Sequence, residues 1–224
     1  DGDTVEPGDL VARLEGPARG LLKGERVALN FIQRMSAIAT ATNALVRAVE
    51  GLPVRIIDTR KTTPGLRPLE RYSVRAGGGR NHRYGLSDGV LIKDNHLEVL
   101  AQEGYGIPEA IRRAREAIPH TVGIEIEVEN LEQAREAAEA GADAILLDNM
   151  SPAEMGDAVQ LIKSINEHIL TEASGGVTIE NIRGVAQSGV DLISSGALTH
   201  SVKAMDIGID FELANRAVAG TVRA

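Results

Sequence analysis

Cysteine is missing from all 224 residues, and so is tryptophan. The first absence rules out disulfides, thiolate metal sites and a cysteine nucleophile. Aromatic residues make up only 2% of the chain, so its core has to be aliphatic, built from Ile, Leu, Val and Ala. Without aromatic platforms the chain is poorly equipped to stack single-stranded bases. No apolar run approaches the ~18 residues that a membrane-spanning helix needs, and no signal-peptide pattern is visible. Positive charge is in deficit: 24 Lys and Arg against 32 Asp and Glu leave a net charge of −8. That balance disfavours general binding to nucleic acid or membrane. Signatures of acyl transfer, zinc hydrolysis and P-loop chemistry are read as absent. The expectation is a soluble cytoplasmic protein.

What is present fits one globular domain, or one and a fraction, with 43% hydrophobic and 25% charged residues. The opening, DGDTVEPGDLV, reads as two strand fragments joined by turns. Strand fragments need partners, so the natural chain is expected to extend further N-terminally. Residues 1–20 are read as short β elements, followed by a long helix from Lys23 to Glu50. In it Val27, Phe31, Met35, Ile38, Ala41, Leu45 and Val49 recur three and four apart as one apolar stripe, and Gly51 and Pro53 end it.

A rhythm then sets in. Apolar runs appear at VRII (54–57), GVLI (89–92), VGIEIEV (122–128), AILL (144–147), HIL (168–170) and DLIS (191–194). Asn130 with Gln133, and Ser151 with Glu154 behind Pro152, have the spacing of helix capping boxes. Thr178 is read as opening another helix, which Gly189 closes. In the second half the strands recur about every 20–25 residues, the length of a βα unit. Repeated βα units build an open doubly wound sheet or a barrel, and no G-x-G-x-x-G follows the first strand. The favoured fold is α/β, an incomplete βα barrel with a small β-rich part packed on it.

Every apolar run ends in polar, charged or glycine residues: Arg60 and Lys61, then Lys93 with Asp94, Asn95 and His96, then Glu127 and Glu129, then Asp148 and Asn149, then Glu172, Ser174, Gly175 and Gly176, then Ser195, Gly196 and His200. In a βα barrel those ends meet on one face, where active sites are built. Nine Lys and Arg fall in the 39 positions from 55 to 93, where an even spread would place about four. Carboxylates dominate the next strand ends, and glycine turns the last two. The set suits a highly anionic ligand: cations for one part, carboxylates for hydroxyls or a divalent metal, glycine N–H groups for phosphate.

Blander readings stand beside this one. Arg71, Arg75 and Arg80 are expected to be solvated or paired. AGGGRNHR (76–83) reads as a flexible loop, or as glycines that let a ligand come close. Glu125, Glu127 and Glu129 share one strand face, either a solvated edge or the wall of a site. His82 alone reads as structural, and His120 and His168 as incidental.

Taken together, GERVALNFIQRMSAIAT, DTRKTTPGLRPLERYSVRAGGGRNHRYGLSDGVLIKDNH, IEVE, LLDNM, EASGG and SSGALTHS resemble quinolinate phosphoribosyltransferase, in that family's order and over nearly the whole chain. The resemblance implies a type II phosphoribosyltransferase architecture. Residues 1–52 would be the remainder of an N-terminal α/β sandwich domain including the long helix. Residues 53–200 would form the barrel and active site, and 201–224 would return to the sandwich. It implies transfer of phosphoribose from phosphoribosyl pyrophosphate to quinolinate, with Mg2+, in NAD biosynthesis. Arg60, Lys61, His82, Arg83 and Lys93, beside Thr59, would hold the quinolinate dianion, with Arg26 reaching in from the partner of a homodimer. Glu127 and Asp148 would hold the ribose hydroxyls, directly or through the metal. Ser174, Gly175, Gly176, Ser195, Gly196 and His200 would line the phosphate side. Lys61, Lys93, Glu127 and Asp148 are the expected catalytic residues. The nearest competing reading is a paralogous phosphoribosyltransferase-like protein associated with molybdate uptake; RKTTPGLR, HR and KDNH favour quinolinate.

Overall fold

The computed structural model describes residues 1–214 and 217–223. Strand β1 (Leu10–Gly16) leads directly into helix α1 (Ala18–Ala48), which starts five residues before the predicted Lys23. The expected β elements at the start reduce to β1 alone, because residues 1–9 take no strand pairing. At 31 residues α1 is about 46 Å long, long enough to serve two cores. Its N-terminal half packs Leu29 with Ile207 and Val222, whereas Leu45 and Val49 join the barrel core. This division corrects the single apolar stripe in part: Ile38, Leu45 and Val49 are buried as expected, but Val27 and Phe31 are exposed, and Leu29, Ala37 and Thr42 are buried as well.

Next in chain order come β2 (Arg55–Ile57), α2 (Arg67–Ala76), β3 (Val90–Ile92), α3 (Asp94–Gln102), α4 (Ile107–Ala117), β4 (Ile124–Val128), α5 (Leu131–Glu139), β5 (Ala144–Asp148), α6 (Pro152–Ile165), β6 (Leu170–Ser174), α7 (Ile182–Gln187), β7 (Leu192–Ser194), α8 (Ala197–His200), β8 (Gly208–Ala214) and β9 (Ala217–Arg223). Strands β2 to β7 form one parallel sheet in the order β2-β7-β6-β5-β4-β3. Ile56, Ile124, Ile126, Ile145 and Ile193 are each at most 3% exposed, the β-branched composition of strands covered on both faces. The sheet's outer strands, β2 and β3, are bridged by the segment from Arg80 to Arg83. Arg80 N–H donates to Ile56 at 2.8 Å, Asp58 N–H donates to Arg80 at 3.1 Å, and Arg83 Nη1 reaches the Gly89 carbonyl at 2.8 Å. The result is an incomplete βα barrel. β1, β9 and β8 make a separate antiparallel sheet in that order, so the two ends of the chain share one small layer.

Local signals explain most boundaries. Ser151 and Glu154 form the full reciprocal cap with Pro152 in the first turn. At α5 only half the box exists: the Asn130 side chain accepts the Gln133 N–H, while the Gln133 side chain accepts the N–H of Glu129 rather than of Asn130. Helix α7 begins at Ile182 rather than Thr178, whose carbonyl accepts the Ile182 N–H across the preceding turn. β6 runs through Ser174, later than the HIL run, and His168 lies outside it. The glycines of AGGGRNHR are packing residues. A Cβ on Gly77 would collide with the carbonyl of Ala39, and one on Gly79 would lie 2.7 Å from Thr42 Cγ2. The close approach that Gly77 and Gly79 permit is to α1, and the loop is anchored rather than free.

Candidate active site

The RKTTPGLR loop after β2 is held from three sides. Arg34 on α1 donates to Glu70 at 2.6 and 2.8 Å, to Thr63 Oγ1 at 2.9 Å and to the Thr199 carbonyl at 2.6 Å. Arg67 donates to Thr62 Oγ1 at 3.0 Å and to the carbonyls of Arg60 and Tyr84 at 3.3 and 3.1 Å. The Thr199 hydroxyl donates to the Lys61 carbonyl at 2.7 Å, and Thr59 Oγ1 accepts the Lys61 N–H at 3.1 Å. Arg60 and Lys61 therefore project from a fixed backbone. Lys61 crosses Gly196, where a Cβ would lie 2.8 Å from Lys61 Cδ and 3.0 Å from His200 Nε2. This places Lys61, Gly196 and His200 together.

The bridging segment is fixed by a buried acid. Asp58 accepts the His82 N–H at 2.7 Å, the Asn81 amide at 2.6 Å and Arg71 Nη1 at 3.4 Å. Burial still pushes its carboxyl above the usual range, against the pull of those donors. Arg71 is paired, as expected of it, and also donates to the carbonyls of His82 and Arg83. Arg60 and Arg83 are different. Neither forms an ion pair among the described residues, and Arg60 Nε is buried without a hydrogen-bond partner. Burial, and then the charge of Arg60, hold the Arg83 guanidinium below its ordinary value. His82 does not stand beside them as a free cation. Its Nδ1 accepts the Arg83 N–H at 2.6 Å and its Nε2 faces Glu125 at 3.2 Å.

Around the mouth the charge then changes sign. Lys93, whose N–H is capped by His96 Nδ1 at 2.9 Å, reaches Glu127 at 3.3 Å. Burial raises the Glu127 carboxyl, Lys93 lowers it, and the charge of Asp148 raises it again. β4 lies between β3 and β5, so Glu125 and Glu127 line the interior and are not a solvated edge. Asp148 pairs in register with Ser174 and accepts the Asn149 amide at 2.7 Å. Gly175 and Gly176 both have positive φ, at 91° and 58°, and a side chain at Gly175 would collide with Asn149. Helix α7 begins only at Ile182, so this glycine turn does not sit at a helix N-terminus as expected. Ser195 is 5% exposed, and its N–H is spent on the Ile57 carbonyl. Arg26 lies apart on the exposed N-terminal half of α1. His120 and His168 are exposed and distant from these contacts in the sequence of strand ends.

Sequence reasoning missed Arg34, Glu70 and Asp58 as builders of the site. The acid closing VRIID was the one available signal. It also read past GLSDG (85–89), which has the letters of a G-x-S-x-G elbow. That motif needs a strand before it and a helix after it. Here the string precedes β3, and among the described residues Ser87 Oγ bonds only to Asp88, at 3.3 Å.

The quinolinate phosphoribosyl transferase C-terminal domain profile matches residues 38–210, and the N-terminal domain profile of the same family matches residues 1–36. A probable nicotinate-nucleotide pyrophosphorylase [carboxylating] of Bacillus subtilis is 51% identical over 218 residues, which cover 97% of this chain and 73% of that protein. The chloroplastic nicotinate-nucleotide pyrophosphorylase [carboxylating] of Arabidopsis thaliana is 44% identical across 100% of this chain and 68% of its own length. The crystal structure of NadC from Streptococcus pyogenes superposes with a TM-score of 0.85 at 45% identity, covering 92% of this chain and 70% of that one.

Proposed function

This chain belongs to the quinolinate phosphoribosyl transferase family, and from that premise we propose that it moves phosphoribose from phosphoribosyl pyrophosphate onto the ring nitrogen of quinolinate. The products are nicotinate mononucleotide, pyrophosphate and CO2, a step of NAD biosynthesis. The observation that carries the reading is the pair Arg60 and Arg83: Arg60 Nε is buried without a hydrogen-bond partner, burial and then the charge of Arg60 depress the Arg83 guanidinium, and neither forms an ion pair among the described residues. Two partly desolvated cations side by side favour an anion between them. Quinolinate brings two adjacent carboxylates, and Lys61 and Lys93 flank the same mouth.

The chemistry follows from placement and charge. As the bond from C1′ to pyrophosphate breaks, the lone pair of the ring nitrogen forms the new bond to C1′, and positive charge develops on the ribose. Glu127 and Asp148 stand where that charge and the ribose hydroxyls would be met. The N-alkylated ring is cationic. When the neighbouring carboxylate leaves as CO2, the ring takes the bonding electrons and then a proton at that carbon. Glu127 and Asp148 also fit Mg2+: they are hard oxygen donors, and the half-buried Glu127 carboxyl is raised by desolvation, against the pull of Lys93, with the charge of Asp148 adding to the rise. Mg2+ carried in by phosphoribosyl pyrophosphate would neutralise the leaving pyrophosphate. Gly175, Gly176 and Gly196, with Ser174 and His200, would receive phosphate oxygens.

The reading includes a homodimer in which Arg26 completes the partner's site. Leu22, Val27 and Phe31 surround Arg26 on α1 and are exposed at 60%, 59% and 41%. Mixing Arg26→Ala with Lys93→Ala chains should restore activity in hybrid dimers; no restoration would remove Arg26 from the shared site. The reading also includes a cytoplasmic location, tested by fractionating the source cells. No helix among the described residues is long and apolar enough to cross a membrane. The deciding assay is nicotinate mononucleotide formation from quinolinate, phosphoribosyl pyrophosphate and Mg2+, with nicotinate as the parallel substrate. Turnover of quinolinate alone is expected, and turnover of nicotinate alone would overturn the assignment.

A further inference from the structure

Arg47, Arg55 and Arg80 come from three separate segments and line one cavity of about 600 Å3. Arg47 is in the last turn of α1, Arg55 opens β2, and Arg80 belongs to the segment bridged to Ile57. All three are exposed. Arg34 and Arg71 hold Glu70 and Asp58, but among the described residues no side chain of these three enters an ion pair or a hydrogen bond. Glu50 is the one carboxylate among the lining residues, and it pairs with none of them. Positive charge is thus concentrated here in a chain whose net charge is −8, and a concave wall of one sign focuses its field on what enters. The floor is apolar: Val49 and Ile56 are buried, and Val46, Leu52 and Val54 are half-buried.

This cavity is not the mouth. It lies at the N-terminal end of β2, where the Arg55 N–H meets the Asp191 carbonyl at 3.1 Å, whereas Arg60 and Lys61 follow the C-terminal end. The buried Ile57 and Asp58 stand between the two. An arginine in the last turn of a helix is ordinarily explained by the helix's negative end. Arg183 already donates to the Ala48 carbonyl there at 3.0 Å, and a helix end accounts for neither Arg55 nor Arg80.

We propose that Arg47, Arg55 and Arg80 form a second anion site, one that takes a mononucleotide-like ligand: the guanidiniums hold its phosphate and the apolar floor receives its ring. A guanidinium presents a planar fork of donors that matches phosphate oxygens, and several from different segments can share one phosphate dianion. The volume is within the roughly 300–1,000 Å3 of small-molecule sites. With no aromatic side chain in the lining, the ring would rest on aliphatic carbon and on the guanidinium planes.

The test is calorimetric titration with adenosine monophosphate, beside inorganic phosphate and adenosine. Wild-type protein is expected to bind adenosine monophosphate at one such site, and Arg47→Ala/Arg55→Ala to bind it at least about tenfold more weakly, the loss expected when charge-assisted hydrogen bonds are removed. Arg80→Ala, from a different segment, should weaken it in the same way. The melting temperature of each variant without ligand should match the wild type, because none of these side chains has a partner to lose. Arg83→Ala and His200→Ala, at the mouth, should leave this binding in place. Phosphate should bind about tenfold more weakly than the nucleotide, since it leaves the apolar floor uncovered, and adenosine should not bind measurably. No binding of adenosine monophosphate, or binding that the mouth variants abolish and the cavity variants keep, would overturn the site. Phosphate binding as tightly as the nucleotide would overturn the ligand class, and adenosine doing so would overturn the role of the arginines. Binding is read without turnover, so these outcomes stand apart from the activity proposed above.

Discussion

Helix α4 and the mouth of the barrel carry the same kinds of side chain and treat them in opposite ways. On α4, Glu109 meets Arg112 at 2.7 Å and Arg113 at 2.8 Å, Arg112 also meets Glu116 at 2.6 Å, and Arg113 stacks 3.9 Å from the Tyr105 ring centre. Arg112, then Arg113, draw the Glu109 carboxyl down to about 2. Every charge there has an opposite in reach. At the mouth, Arg60 and Arg83 are neighbours that form no ion pair among the described residues, although Glu125 and Asp88 lie near enough to act on Arg83. The nearby Asp58 and Glu70 are committed to Arg71 and Arg34, which build the loop. Paired charge on an exposed helix describes a surface. Like charge left unmatched on a braced backbone describes a site that a ligand completes.

The contrast breaks most sharply at its strongest point. Arg83→Ala should lower kcat/KM for quinolinate about 100-fold or more, as expected for one partner of a desolvated charge pair. Steady-state kinetics measure it, and near-normal constants would take Arg83 out of the pocket. Gly196→Ala comes next. The added methyl would press on Lys61 Cδ at 2.8 Å and His200 Nε2 at 3.0 Å, in a backbone whose φ of −69° accepts alanine without strain. Activity should fall about tenfold through displacement of the lysine, an effect of misplacing one binding group. The melting temperature should hold. A variant that melts early and binds normally would mean that the glycine serves packing alone.

How much of this was legible in the chain follows from where each signal is local. The parallel strands show themselves because each is a short β-branched run with breakers on both sides, as VRII and AILL are. The polar strand ends are equally local, and they are the mouth. Glu172 is a different matter. Counted as a residue after the run HILT, it looks like a strand end. Because β6 continues to Ser174 it is interior, one pleat down, and only pairing with Leu146 reveals that. Arg34 and Glu70 are 36 residues apart, and no spacing rule joins a mid-helix arginine to another helix's acid. The stripe on α1 held at Ile38, Leu45 and Val49 and failed at Val27 and Phe31 for a related reason. A helix shared by two cores turns different faces to each, so one period cannot describe both.

A smaller effect sharpens the comparison from within the barrel. Glu172 is surrounded by Glu125 from β4, His82 from the bridging segment and the Ser194 hydroxyl from β7. Its folded-state carboxyl is raised above the ordinary 4.5, so it is neutral in the folded protein where the unfolded chain is already ionised. Stability from this group is full below pH 4.5 and is lost as pH climbs toward the raised folded value. Glu172→Gln removes that proton linkage. Its melting temperature relative to wild type should therefore rise steadily from about pH 4.5 upward; a constant difference across pH would mean that Glu172 is ionised when folded.

The least effect is expected where the pairing is most complete to the eye. Glu109→Gln deletes the acid that three short contacts join to Arg112 and Arg113. Arg112 and Arg113 are exposed and Glu109 is half-buried beneath them, a surface setting where water and salt screen such pairs and two long side chains lose freedom in making them. Arg112 keeps Glu116, and Arg113 keeps the Tyr105 ring and Glu103 at 3.8 Å. Melting temperature and quinolinate kinetics should both match the wild type within error, at low and high salt alike. A marked loss of stability at low salt that high salt abolishes would show that the α4 network acts cooperatively. The contrast with the barrel mouth would then lie in what the charges bind, and no longer in how strongly they hold the fold.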